Sequence, residues 1–234
     1  VAQLGVRRLI VPLRPLAEFS AADWFVGDEA SMRVRASLGP SCFPAYARVL
    51  HGWGRDETGS DDERSEGHLD EDLLSALVDV LGRHTATPED CFFGLWEGYG
   101  ELHGGDAMGF LTRFAGPAKW PGRIFTKEKP PPPIPPAFPP EVMNGPLLEF
   151  DQQYFVFTGR LDQAGEWGAA STGHGVPRHV NSPNLMWPAD HAWFVMTNID
   201  NTFSGVGGSE ELISALLADP RLETVRQRYD VGSL

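Results

Sequence analysis

An α+β fold, with a mixed, largely antiparallel sheet flanked by a few helices, is what the sequence predicts, and three stretches carry that prediction. Residues 185–220 read as a strand, a glycine-rich turn and a capped helix. Residues 70–82 repeat leucine and valine at helical spacing, and residues 91–96 and 153–157 are short apolar runs bounded by turn residues, the pattern of buried strands.

Taken in chain order, residues 6–13 look like a strand interrupted by Pro12, and residues 45–51 form a strand or a short helix that periodicity does not separate. The helix over 70–82 presents Leu73, Leu74, Leu77, Val78 and Leu81 as one stripe, and Gly82 is its stop. Thr87-Pro88-Glu89-Asp90 is turn chemistry, Cys91 to Trp96 a buried strand, and Glu97-Gly98-Tyr99-Gly100 a second turn. Another strand ends at Thr158-Gly159, and residues 161–183 are polar and irregular. Trp193, Val195 and Thr197 then alternate with Phe194, Met196 and Asn198, as in a sheet covered on part of each face. Residues 204–208 read as a turn feeding Ser209, a good N-cap. Glu210 and Glu211 follow where the helix dipole favours acids, and Asp219-Pro220 ends the helix near residue 218. The whole chain, 1–234, is expected to be a single α+β domain with an internal acidic loop at 56–67 and a proline-rich connector at 129–140.

A chain of 234 residues with 41% hydrophobic and 11% aromatic content can bury a substantial core. Its longest apolar runs fall far short of the roughly 18 residues a membrane helix needs, and the N-terminus has no apolar stretch of signal-peptide length, so a cytoplasmic location is expected. Cys42 and Cys91 cannot make a disulfide framework and have no metal-ligand spacing; buried free thiols are the expectation.

The net charge is −13, and between Asp56 and Asp72 nine acids face one base, Arg64. Such a field repels nucleic acid and anionic membranes and attracts a basic protein or a cation, with Asp61, Asp62, Glu63 and Glu66 as its binding candidates. The plainer reading is a solvated loop that aids solubility. Eight prolines in eleven positions, 130–140, exclude helix and sheet and favour polyproline II. That segment is either a ligand for an aromatic groove or a stiff connector anchored by Phe138.

No Walker loop, H-E-x-x-H, G-x-S-x-G or paired C-x-x-C occurs, and no metal or cofactor is expected. His174, His179, Asp190 and His191 are the candidates for catalysis, because imidazoles with a carboxylate can run acid–base or hydrolytic chemistry if the fold brings them together. Trp96, Glu97, Tyr99, Trp187 and Trp193 stand at strand ends where loops form binding faces, and they are the candidates for a cleft or partner surface. The competing reading puts these rings in the core.

The segments CFFGLWEGYG, SPNLMWPADHAWFVMTNID and VGGSEELISALLADPRLE resemble those of a family of uncharacterised actinobacterial proteins, a likeness that implies no particular activity. LGPSCFPAYARVLHGWG, with a late strand and a terminal helix, resembles the SUKH superfamily, which includes toxin-immunity proteins; Cys42-Phe43 and the proline-rich stretch depart from its pattern. That resemblance implies an α+β protein that binds other proteins. The expectation is therefore a non-enzymatic protein-binding or immunity-like module. The alternative is a hydrolase-like enzyme using the loop histidines and Asp190. The sequence leaves both the enzyme question and the oligomeric state open.

Overall fold

The computed structural model describes residues 12–54, 63–105, 133–172 and 177–230. The chain forms two compact units: Val1–Glu97, Pro146–Trp167 and Asn181–Leu234 make the first, Gly98–Gly145 and Gly168–Val180 the second. The strand foreseen at residues 6–13 lies almost wholly outside the described residues, as do Asp61 and Asp62 of the acidic loop, Pro130 to Pro132 of the connector, and His174.

The first unit is built on a nine-stranded sheet whose pairings are all antiparallel among the described residues. Its strands are β1 (Arg14–Pro15), β2 (Ala45–Leu50), β5 (Cys91–Trp96), β6 (Leu148–Glu149), β7 (Gln153–Gly159), β8 (Leu185–Pro188), β9 (Phe194–Met196), β10 (Phe203–Gly208) and β11 (Thr224–Gln227). They run in the order β1-β7-β5-β8-β9-β10-β2-β11, with β6 on β7; β3 (Trp53–Gly54) and β4 (Glu63–Arg64) form a separate hairpin. The α+β class is thus as expected, and β2 resolves the ambiguity at 45–51 in favour of strand.

The two principal helices also stand where their patterns put them. Glu71–Leu81 starts on Asp70, whose carboxylate accepts from the Leu73 amide at 2.9 Å, and it buries Ala76, Leu77, Val80 and Leu81. Gly82 does not halt it: Gly82 is right-handed, and a tighter 3₁₀ turn carries on through His84. Glu210–Ala218 starts on Ser209, which accepts from the Leu212 amide at 3.2 Å, and buries Leu212, Ile213 and Leu216. These two helices pack on each other. No helix among the described residues is long and apolar enough to cross a membrane.

A larger expectation fails at the glycine-rich segment. Residues 204–208 are not a turn but strand β10, paired along its whole length with β2 and over Gly205–Gly207 with β9. Their glycines mark close approach. A methyl group on Gly205 would meet the Ser37 carbonyl and sit 2.8 Å from the Leu38 Cα, so the Met32–Leu38 helix lies directly on the strand. At Gly207 a methyl group would lie 2.8 Å from the Tyr46 ring. Glycine keeps its N–H, so the ladder survives while the missing side chains make room for a helix.

On this helix-covered side the core is aromatic. Phe25, Tyr154, Val156, Leu185, Trp187, Phe194 and Met196 form one buried cluster, and Val34, Leu38 and Tyr46 another. Phe25 meets Trp187 and Phe194 at ring separations of 5.0 and 4.7 Å.

Candidate functional site

The aromatic candidates separate by burial. Trp187 is 1% exposed and Trp193 0%. Trp187 stacks between Phe92 and Phe194 and donates its indole N–H to the Ala21 carbonyl at 3.2 Å. Neither lines a binding face: Trp187 packs in the aromatic cluster under the Met32–Leu38 helix, and Trp193 is buried on the opposite side of the sheet, where a methyl group on Gly208 would meet both its Cβ and Leu212. Trp96 is half-buried against the same core, with its backbone N–H on the Asn184 side-chain oxygen at 2.9 Å. Glu97 follows it with its N–H on the Gln153 carbonyl at 3.0 Å. Tyr99 belongs to the second unit, where its carbonyl accepts from Leu102 and opens the short helix Gly100–His103.

The catalytic candidates have other partners. Asp190 accepts from the Thr85 hydroxyl at 2.9 Å, the Ala86 amide at 2.7 Å and the Ala192 amide at 3.1 Å. Partial burial pushes its carboxyl up, but these hydrogen bonds outweigh that and hold it below the ordinary value. It is a turn-pinning carboxylate. His191 next to it has a φ of 54°, unusual for a residue other than glycine, and its ring stacks on Trp24 at 4.4 Å. Burial lowers its pKa, with the Asp190 charge working the other way. His179 is exposed in the second unit. Among the described residues no group of three or more His, Cys, Asp or Glu side chains is placed to hold a metal ion. Cys91 is buried as expected, and burial pushes its thiol up to about 12; Cys42 is exposed, contrary to expectation, because it falls in the surface turn before β2.

Of the acidic run, Glu63 lies in β4 opposite Gly54, and Glu66 is exposed. The base of that hairpin is tied down by a polar network that sequence reasoning missed. His51, 0% exposed, has Nδ1 2.8 Å from the Ser65 carbonyl and Nε2 3.0 Å from the Ser204 hydroxyl, which in turn meets the Thr197 hydroxyl at 2.6 Å. A carbonyl can only accept, so Nδ1 carries the proton and Nε2 accepts from Ser204. Burial drives the His51 pKa down to about 4. The arrangement has a hydrolytic look, but Ser204 and Thr197 are also 0% exposed. It is a buried, satisfied lock between β2, β9, β10 and the acidic hairpin. Its partners lie 153 residues apart, and no local pattern announces them.

The second unit holds a concavity beside the proline-rich stretch. Residues 133–140 cross its surface with Ala137 and Phe138 buried, Phe138 at 6%, and Pro135, Pro136, Pro139 and Pro140 exposed. Phe138 is therefore the anchor foreseen for a stiff connector. Pro140 departs from the expected extended run by starting a one-turn helix, Pro140–Met143, at the position where the missing N–H costs nothing. Backbone bonds fix the path: Ala137 N–H to the Leu102 carbonyl and Ala170 N–H to the Ala137 carbonyl, both at 2.7 Å, and Gly105 N–H to the Ile134 carbonyl at 2.8 Å. Arg178 clamps it by donating to the carbonyls of Ala170, Glu101 and Pro135. Between these segments opens a groove of about 620 Å³, floored by Pro135, Pro136, Phe138 and Met143, with His103 and Asn144 as its polar groups.

Comparison with known proteins finds no matching family model, curated protein or solved structure.

Proposed function

We propose that the chain is a non-enzymatic binding protein whose groove in the second unit receives a bulky apolar side chain from a protein partner, flanked on that partner by basic residues. The observation that carries this reading is the groove itself: an apolar floor with two polar groups, held open by backbone bonds and by Arg178. Most of its lining is exposed, including His103, Pro135, Pro136 and Asn144, which suits a side chain presented by another protein better than a small molecule that must be engulfed. Glu141 stands between two lining residues, Pro140 and Met143, and Glu101 two residues before His103; with a net charge of −13 they favour a basic flank. An immunity-like role is the form this binding takes if the SUKH resemblance holds.

The test is a displayed library of linear peptides panned on the full chain. Enriched peptides should join a large apolar residue to Lys or Arg, bind more weakly as salt rises, and lose at least about tenfold in affinity on Met143→Asp while Leu217→Asp changes nothing. Peptides that bind Met143→Asp as tightly as the parent, or the enrichment of none, would overturn the reading.

A further inference from the structure

The sheet of the first unit ends on β11, and the register decides which of its backbone groups are used. Leu50 N–H donates to the Glu223 carbonyl at 2.8 Å, so Glu223, Val225 and Gln227 are the residues that exchange hydrogen bonds with β2. Thr224 and Arg226 therefore turn N–H and C=O out of the sheet, where no bond among the described residues takes them up. The opposite edge, β1, is only two residues long and carries Pro15, a blunted edge. β11 has no proline, and Val225 at its centre is 42% exposed.

A second exposed apolar side chain flanks the same edge. Glu210 reaches over β11 to pair with Arg226 at 2.8 Å, which turns the Glu210 stripe of the Glu210–Ala218 helix toward the edge. Leu217, seven residues on, lies two turns along that stripe and is 41% exposed.

We propose that β11 pairs antiparallel with β11 of a second copy of this chain about a twofold axis through Val225, continuing the sheet across a dimer. The edge is self-complementary in that register. Thr224 opposite the second copy's Arg226 makes a hydrogen-bonded pair of the two residues whose backbone groups point outward, and Val225 meets its own counterpart at the close, non-hydrogen-bonded spacing of about 4.5 Å. Glu223 falls opposite Gln227, so no like charges are opposed. A slip of one residue sets an outward-facing residue against an inward-facing one and forfeits the bonds. The axis stands perpendicular to the sheet, so the two Glu210–Ala218 helices lie side by side on one face with their Leu217 stripes toward each other.

Sedimentation of the full chain, from dilute solution to about 100 μM, should give a monomer–dimer equilibrium that tightens as salt rises, because two chains of −13 charge repel. That sign is opposite to the one expected for the groove, and Met143→Asp should leave the dimer intact. Arg226→Pro removes an outward N–H together with the exposed pair to Glu210, and Val225→Lys sets two cations at the axis; each should weaken the dimer at least about tenfold, whereas Arg226→Ala, which loses the pair and keeps the N–H, should weaken it less than Arg226→Pro. If Arg226→Pro unfolds the chain, Val225→Lys decides alone. A parent chain that stays monomeric at every concentration, or folded variants that dimerise as tightly as it does, would overturn the proposal.

Discussion

Strand β10 and residues 133–140 are both made of residues that interrupt regular structure, four of six being glycine or serine in one and five of eight proline in the other, yet one is a paired interior strand and the other a surface crossing. Glycine gives up a side chain and keeps its N–H, so β10 holds its full ladder while the Met32–Leu38 helix settles onto it. Proline gives up the N–H, so residues 133–140 are held instead by Ala137 and Ile134, by Arg178 reaching the Pro135 carbonyl, and by Phe138. Low helix and strand propensity thus has two origins with opposite consequences. The absence of bulk invites burial, whereas the absence of a donor forbids a central place in a sheet.

The sharpest way to break this contrast is Gly205→Val. Its Cβ must displace backbone of the covering helix, so we expect a loss of about 4 kcal/mol or of the folded state, read by urea unfolding. An unchanged midpoint would mean that the strand is not covered. Phe138→Ala, which removes the anchor of the proline crossing, should cost about 3 kcal/mol and expose the Ala137 and Ala170 amides to hydrogen exchange; protection equal to the parent's would refute the anchoring role.

A pH series sharpens the comparison from the side of β10, where Ser204 holds His51. The folded pKa lies near 4 against an ordinary 6.5, so the unfolded chain takes up the proton first as pH falls. The stabilisation is complete above pH 6.5 and is lost on the way down to pH 4, by about 1 kcal/mol at pH 5.5 and about 3 kcal/mol at the lower limit. Asp70, His68 and Arg64 face the same imidazole, so the informative quantity is the difference from His51→Gln, whose stability should be flatter across this window. Parallel curves for the two chains would remove His51 from the account. The smallest effect belongs to Pro136→Ala, at an exposed position with no backbone donor to recover: about 0.5 kcal/mol, through the entropy of the unfolded chain alone. A loss several times larger would show that the crossing depends on proline's contacts and not on its stiffness.

Asp70 and Ser209 cap the helices their patterns announce, since a cap and an apolar stripe depend on neighbours within one or two turns. Cys91–Trp96 and Gln153–Gly159 are strands for a similar reason, each bounded by local turn chemistry. Asp190 and His191 were recognisable as residues able to do chemistry, but their employment, one on Thr85 and Ala86 and the other on Trp24, depends on contacts more than a hundred residues away. The groove was hidden in the same way: the proline run marks its floor, whereas Arg178, which no local pattern singles out, braces it through carbonyls of distant segments.

The amino-acid sequence by itself determined the α+β class, the positions of the two principal helices and the Ser209 cap, the strands at 91–96 and 153–159 and the strong negative charge, because each rests on short-range periodicity, capping or a simple count. Only the tertiary structure decided that residues 203–208 are an interior strand, that Trp187 and Trp193 are core, that His51 locks Ser204 to the acidic hairpin, and that the proline segment borders a groove. Each of these turns on which distant surface comes to rest against a residue, and that is set by burial summed over the whole fold, which no window along the chain contains.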